Sequence, residues 1–508
     1  MHEILTVQLG SASNHLGAHY WNTQESYFTY EANDGNEKPA VDHDISFRAG
    51  VGADGSDTYL PRALIYDLKD NFGSLKQVNA LYEVENPSQA GNRLQLWHGS
   101  TATQSTAPSI SPSPYSQALD QGTTTPSLLT DSTVRYWSDY LRVYFHPRTL
   151  HQITIPGFRG PNQSPGGRLP GLFSNSALGD LGRSTQEKTS LWSSGEDIWA
   201  ELDSSPDGFE GEALRSFLEE CDLPQGIQVF TSINDAWGNV SIKAVERIRD
   251  EIGSKTSLWL WGLEERIDAT AAARTQSALN TARCMFEMGP HVSMFVPVSA
   301  QHAGFGIGLH PWRVAALEAA AIESFSLPTR LGERSSGQAL MVDMETQLDW
   351  SGRRKAAKLA FSTHEGADIT LWGDQIPLAV TARQRVGHKT EHVFGKVECI
   401  RGDWEDKTLD VANGHGNGNV VRHMSSVPFP ILDSYPTIFE QELADQRSLA
   451  VKTSLSVTDE VATRLRSLSI LARRAAELSE RETLSNGLEG LREEYVEGWE
   501  ADSDEDDD

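Results

Sequence analysis

The sequence predicts an α/β protein in which a largely parallel sheet with flanking helices is followed by an α+β C-terminal part and an acidic end. Three observations carry this. Strand-type runs alternate with helix-type stretches over the first 330 or so residues, the pattern of a parallel sheet. That alternation weakens beyond Leu331. Glu493–Asp508 then holds ten carboxylates and no lysine or arginine.

The first strand is Glu3–Leu9, which runs apolar and alternating until Gly10 punctuates it. Ser11, Ser13 and Asn14 are helix-capping residue types, and Ala12, Leu16 and Tyr20 follow at spacing four, so a helix starts there. Further strands are expected at Ala63–Leu68, Gly226–Thr231, Leu258–Trp261 and His291–Val298, with helices over Val240–Ile252 and Trp312–Glu323. Ser100–Thr133 is dense in Ser, Thr and Pro with no lysine or arginine, the composition of a solvated insertion or linker. Pro156–Arg183 is a second loop-like region, and between them Tyr136–Arg148 is too aromatic for a linker. Val461, Leu465, Leu468, Ala472 and Ala475 form one apolar helical stripe. The resulting organisation is 1–98, an insertion or linker over 99–133, a continuation of the same sheet over 134–330, an α+β domain over 331–492, and an acidic tail over 493–508 that is expected to be disordered.

Composition excludes some function classes. The 508 residues carry 43 basic and 71 acidic side chains, a formal net charge of −28. That argues against direct nucleic-acid binding, which needs a basic face, and against an anionic membrane surface. Cys221, Cys284 and Cys399 are too few and scattered for a disulfide framework or thiolate zinc site, which suits a reducing compartment. No run approaches the ~18 apolar residues of a spanning helix. The N-terminus has neither a secretory nor an Arg-rich mitochondrial pattern, so any organelle association is expected to be peripheral or to use a non-cleaved signal.

Several segments resemble a known family. Met1-His2-Glu3-Ile4 and Gln8–Trp21, with its Asn-x-x-Gly-Ala-x-aromatic-Trp helix, resemble the start of tubulin. Tyr59–Leu68 is similar to the tubulin segment running Tyr-Val-Pro-Arg-Ala into a strand that ends Asp-Leu. Cys221–Ser232, centred on Gln225-Gly226-Ile227-Gln228, is similar to the strand entering tubulin's phosphate loop. The Tyr136–Arg148 block has no tubulin counterpart but resembles the Trp-Ser-Asp … His-Pro-Arg block of the Misato family, tubulin-related proteins of mitochondrial distribution and inheritance. The resemblance covers roughly residues 1–310.

It implies a tubulin-like, Rossmann-type fold whose nucleotide would sit at the carboxyl ends of the strands, its phosphates held by a glycine turn at a helix N-terminus. Gly10, Ser11, Ser13, Ser232 and Gly238 are the residues that still match such a site. Three departures argue against GTP hydrolysis. Where tubulin has Ser-Leu-Gly-Gly-Gly-Thr-Gly-Ser-Gly, this chain has Ser232-Ile233-Asn234-Asp235-Ala236-Trp237-Gly238-Asn239-Val240, with a carboxylate facing the phosphates. Asp67-Leu68 is followed by Lys69 where tubulin has a magnesium-linked glutamate. The catalytic Gly-x-x-Asn-x-Asp loop is missing, and Gly416–Val421 lacks its acid. The resemblance therefore implies a non-catalytic protein with no cofactor, acting in mitochondrial partitioning and mitochondrial DNA inheritance from the cytoplasm or the outer mitochondrial surface. Its partners would be other proteins, cytoskeletal or mitochondrial, met through the surface tubulin uses for assembly. The alternative is an active GTP-binding, tubulin-like GTPase or filament subunit.

Other motifs are weaker. His388-Lys389-Thr390-Glu391-His392 matches the His-x-x-Glu-His pattern of a zinc hydrolase, a minor alternative, but Val393–Val397 after it is strand-like rather than helical. His15 and His19 stand at metal-capable spacing on the first helix, where polar surface or loop-facing roles are expected. Gly304–Gly308 lacks the Gly-Lys-Ser/Thr ending of a phosphate loop, and Arg401-Gly402-Asp403 is expected to be a turn.

Overall fold

The computed structural model describes residues 2–28, 39–52, 55, 57–75, 110–123, 128–155, 192–204, 208–209, 212–265, 270–300, 310–332, 335, 337–363, 369–373, 391–404, 420–438 and 447–496. In chain order the N-terminal elements are β1 (Ile4–Leu9), α1 (Ser11–Glu25), β2 (Phe47–Val51), β3 (Asp57–Pro61), β4 (Ala63–Leu68), α2 (Pro114–Asp120), β5 (Leu150–Ile153), α3 (Ser194–Ser204) and α4 (Glu212–Glu220). Next come β6 (Gly226–Ser232), α5 (Ala236–Ile252), β7 (Ser257–Leu263), α6 (Ala271–Met288), β8 (Met294–Val298), α7 (Pro311–Ser326) and α8 (Met341–Leu348). The C-terminal part holds β9 (Lys358–Thr363), β10 (Ile369–Thr370), β11 (Val393–Arg401), β12 (Val420–Ser425), β13 (Phe429–Pro430), β14 (Ser448–Leu449), β15 (Val451–Thr458), α9 (Glu460–Ala475) and α10 (Arg481–Glu493).

Six strands form the principal sheet in the order β5-β4-β1-β6-β7-β8, and every pairing in it is parallel. Strands such as Ala63–Leu68 and Ser257–Leu263 are buried at every position, as a parallel sheet covered on both faces requires. The chain winds one way from β1 through β4 to β5 and the other way through β6, β7 and β8. The order therefore reverses between β1 and β6, and the loops leaving those two strands meet at a topological switch point.

The C-terminal sheet has the order β10-β9-β15-β11-β12. It is antiparallel except between β11 and β12, which matches the expected loss of alternation beyond Leu331. Helix α7 packs on α1 and on this second sheet, and it is buried on nearly every face, with alanines at 315, 316 and 319–321 allowing close approach. At its end Glu323 meets two arginines. Its carboxylate accepts from Arg401 Nη1 at 2.5 Å and from Arg330 Nη2 at 3.1 Å, and all three side chains are buried. Arg401 therefore ends β11 pointing inward, and the expected turn is made by Gly402, at φ +77°, and Asp403, with the Trp404 N–H donating to the Gly402 carbonyl at 2.9 Å.

Some local expectations shift. The stripe on α9 buries Val461, Leu465, Leu468 and Ala472, but Ala475 is exposed and Ala476 takes its place. Part of the Ser/Thr/Pro-rich stretch is not solvated: Ser113 caps α2, Tyr115 is fully buried, and its hydroxyl donates to Asp433 at 2.9 Å. The aromatic block 136–148 is packed into the same body, with Trp137, Asp139 and Tyr140 buried and Arg142 paired to Asp433 at 2.6 Å.

His15 and His19 are core residues, against the expected surface or loop roles. His15 Nδ1 lies 2.8 Å from the Tyr140 hydroxyl, and His19 Nε2 donates to the Trp312 carbonyl at 2.9 Å. Burial lowers the pKa of each to about 3, so both are neutral. Apolar and aromatic neighbours on α7 and in the 136–148 block surround this face of α1, which helical spacing alone does not reveal.

Candidate functional site

The switch point is built from two turns. Gly10 follows β1 with φ +89°, a conformation that favours glycine. Its N–H donates to the Tyr66 carbonyl at 2.9 Å, and its own carbonyl accepts from Ser13 Oγ at 2.7 Å. Ser11 is half-buried beside it. The second turn, Ser232–Asp235, follows β6 and leads into α5.

That second turn is not a phosphate loop in shape. Helix α5 begins at Ala236, four residues earlier than the apolar pattern indicates, because Asp235 caps it: Asp235 Oδ1 accepts from Trp237 N at 2.8 Å. Trp237 thereby falls in the first helical turn, is 3 % exposed, and lies against Gly10. A Cβ placed on Gly10 would meet three atoms of the indole at 2.7 Å. The space between the two turns holds an aromatic ring.

The remaining matching residues are engaged locally. Ser232 Oγ lies 3.2 Å from Asn234 Oδ1, while Asn234 Nδ2 donates to the Glu265 carbonyl at 2.7 Å. Gly238 is inside α5, where an added Cβ would come within 2.7 Å of Cys284 Sγ. Its role here is the close packing of α5 on α6. The structure thus brings Gly10, Ser11 and Ser13 together with Ser232 and Gly238 at one end of the sheet, with Trp237 between the two groups.

Asp67, at the end of β4, is fully buried and accepts from Leu68 N at 2.8 Å, Asn71 Nδ2 at 2.7 Å and Asn14 Nδ2 at 3.0 Å. Burial outweighs these bonds and raises its pKa to about 6. Lys69 is exposed, so the inverted charge lies on the surface. Burial, with Glu265 adding repulsion, raises Asp235 to about 7, and burial raises Glu318 to about 8. The switch point therefore holds two buried carboxyls, Asp67 and Asp235, in which burial disfavours the charged form.

Sequence reasoning names Asp235 but casts it as a charge facing phosphates, and it misses the plugging role of Trp237. The available signal was Asn-Asp before Ala-Trp, an N-cap pattern. Among the described residues no group of three or more His, Cys, Asp or Glu side chains is arranged to hold a metal. Glu391 pairs with Lys358 at 3.1 Å and the His392 N–H donates to Asp459 at 3.1 Å. His388, Gly304–Gly308 and Gly416–Asn419 lie outside the described residues. No described helix is long and apolar enough to cross a membrane.

Comparison with known proteins agrees with the fold. Residues 2–121 match the family model described as the Misato Segment II tubulin-like domain, and residues 125–156 and 179–331 match a tubulin domain model. Protein DML1 of Gibberella zeae is 38% identical over the whole of both chains. The chain belongs to the Misato family. Protein DML1 of Phaeosphaeria nodorum is 35% identical and protein dml1 of Aspergillus niger 36% identical, each over the full length of both chains. In this Misato chain the first model match contains β1 and β4, and the second contains β5 and β6 to β8. The two matches thus meet inside one sheet, and the Gly10 and Ser232 turns come from different matched segments.

Proposed function

We propose that this Misato-family chain is a non-catalytic tubulin-like protein that acts through contacts with other proteins in the partitioning of mitochondria and the inheritance of mitochondrial DNA. The observation that carries the non-catalytic reading is the Trp237 indole packed on Gly10, where a tubulin-like site would place phosphate. Asp235 adds to it, because its carboxyl closes the α5 N-terminus that a phosphate would otherwise approach. The mitochondrial role rests on the family resemblance, and a peripheral position at the outer mitochondrial surface or in the cytoplasm goes with it.

The biochemical test is to denature purified full-length protein, quantify released guanine nucleotide, and follow GTP turnover with magnesium. Less than one-tenth of an equivalent of nucleotide and no turnover above buffer are expected; stoichiometric GTP or turnover refutes the non-catalytic reading. The cellular test is depletion of the protein, scored for mitochondrial distribution and retention of mitochondrial DNA. Unchanged distribution and retention refute the mitochondrial role.

A further inference from the structure

Two Ser-Pro pairs stand in a row where α2 begins, Ser111-Pro112 and Ser113-Pro114, and among the described residues no other serine or threonine precedes a proline. The segment they lead lies across the body as a strap. Ser113 Oγ donates to the Asp139 carbonyl at 2.6 Å and accepts from Ser116 N at 3.0 Å. Tyr115, with no exposed surface, donates to Asp433 at 2.9 Å. These bonds join α2 to the 136–148 block and to the segment that follows β13.

The two serines differ in their surroundings. Ser113 is 1 % exposed and its hydroxyl both donates and accepts, so a phosphoryl group cannot be added there without lifting the strap. Ser111 and Pro112 are exposed and precede the helix, and among the described residues the Ser111 hydroxyl makes no hydrogen bond. The proline restricts Ser111 to extended backbone. It also offers no N–H, so an apolar enzyme cleft can take this pair without burying an unpaired donor.

Beside Ser111 stands a guanidinium with donors to spare. Arg135 Nη2 donates to the Ser111 carbonyl at 2.9 Å and lies 3.4 Å from Asp139 Oδ1. Its Nε and Nη1 make no hydrogen bond among the described residues, and its side chain is 42 % exposed. Asp139 is engaged chiefly by backbone: its Oδ2 accepts from Arg135 N at 2.8 Å and Tyr136 N at 3.0 Å. The accepting carbonyl and the unbonded hydroxyl belong to one residue, so a phosphate added to Ser111 falls within reach of the same guanidinium. It would bring a charge of about −1.5 to −2 and three acceptor oxygens, which an arginine fork binds in a bidentate manner.

We propose that Ser111 is a phosphorylation site for a proline-directed protein kinase, and that its phosphate bonds Arg135 and fastens the α2 strap. In the transfer a bond forms between Ser111 Oγ and the γ-phosphorus of ATP as the bond from that phosphorus to its bridging oxygen breaks. ADP leaves, and the hydroxyl proton passes to the kinase's base. Arg135 leads into the block on which Ser113 is bonded, so the phosphate adds a second tie beside the Ser113–Asp139 bond. The site stands apart from the nucleotide reading, which rests on Trp237 and Gly10.

The test treats the full-length protein with magnesium ATP and a proline-directed serine/threonine kinase, locates phosphate by peptide mass spectrometry, and follows amide exchange over residues 116–123. Phosphate on Ser111 is expected at a level at least about ten times that on Ser113. Exchange over the strap should then slow about tenfold, the size of one charge-assisted bond, and less than about twofold in Arg135→Gln phosphorylated to the same extent. The exposure of Arg135 lets that substitution leave the fold standing. Ser111→Ala taken through the same reaction should show no slowing, which separates Ser111 from phosphate added elsewhere. An unmodified Ser111, or Ser113 modified first, overturns the site. Exchange that is unchanged or faster on phosphorylation, or slowed equally in Arg135→Gln or Ser111→Ala, overturns the fastening.

Discussion

Replacing Glu323 by glutamine should be among the most damaging single changes in the molecule. The substitution keeps volume and shape but removes the carboxylate that the buried guanidinium groups of Arg330 and Arg401 share. Breaking a buried pair by deleting one charge costs about 3–5 kcal/mol, because the other charge is left uncompensated. Here two charges are left, but both retain neutral acceptors. Arg401 also donates to the carbonyls of Val427 at 3.0 Å and Pro428 at 2.8 Å, and Arg330 to the Glu323 carbonyl at 2.9 Å and the Tyr20 hydroxyl at 2.6 Å. Those bonds bring the expected loss toward ~3 kcal/mol, more than a hundredfold in the unfolding equilibrium. Urea unfolding of wild type, Glu323→Gln, Arg401→Met and the double variant measures it. Arg401→Met should cost less in the glutamine background than alone, since it then removes a stranded charge. A loss below about 1 kcal/mol for Glu323→Gln, or strict additivity in the cycle, refutes the view that this triad ties α7 to β11.

Gly10→Ala should destabilise by about 2–4 kcal/mol through its positive φ and the clash with the indole, and thermal melting with Trp237→Leu added should recover part of it. Gly238→Ala should lose about 1–3 kcal/mol and be relieved by Cys284→Ala, a rescue that a phosphate-binding glycine would not show. The folded state raises Asp235 to about 7 and Glu318 to about 8, so it holds protons that the unfolded chain releases near pH 4. Their contribution is complete below that pH and is lost as pH rises through 7–8. Urea midpoints should fall between pH 5.5 and 8.5, and Asp235→Asn, which keeps the acceptor for Trp237 N, should flatten the slope.

Strand β5, Leu150-His151-Gln152-Ile153, is no continuous apolar run and was missed. The other five of the six strands of the principal sheet were legible because they are such runs set between helical stretches, and burial on both faces leaves them little alternative. Residues 226–231 show this: the predicted strand differs from β6 by one residue. Features that depend on tertiary contact were hidden. His15 and His19 look polar in one dimension, yet α7 and the 136–148 block enclose them. Arg401 sits in an Arg-Gly-Asp tripeptide that does form a turn, and its burial follows from Glu323 and Tyr27, both far away in sequence.

The switch point shows how one stretch of sequence admits two chemical readings. Aligned to a phosphate loop, Ser232–Val240 is a damaged anion cradle. Considered by capping, the same residues are a sound helix start: Asp235 accepts the Trp237 N–H and satisfies one of the orphan donors at the N-terminus. A phosphate and a capping carboxylate compete for the same donors and the same positive end of α5, so gaining one removes the other. Trp237 then follows from that choice. Helix formation at Ala236 fixes its direction, and the positive φ at Gly10 leaves room for the indole where a side chain would stand. Trp237 makes the space between the two turns part of the hydrophobic core, and buried carboxyls with raised pKa values stand at its margin.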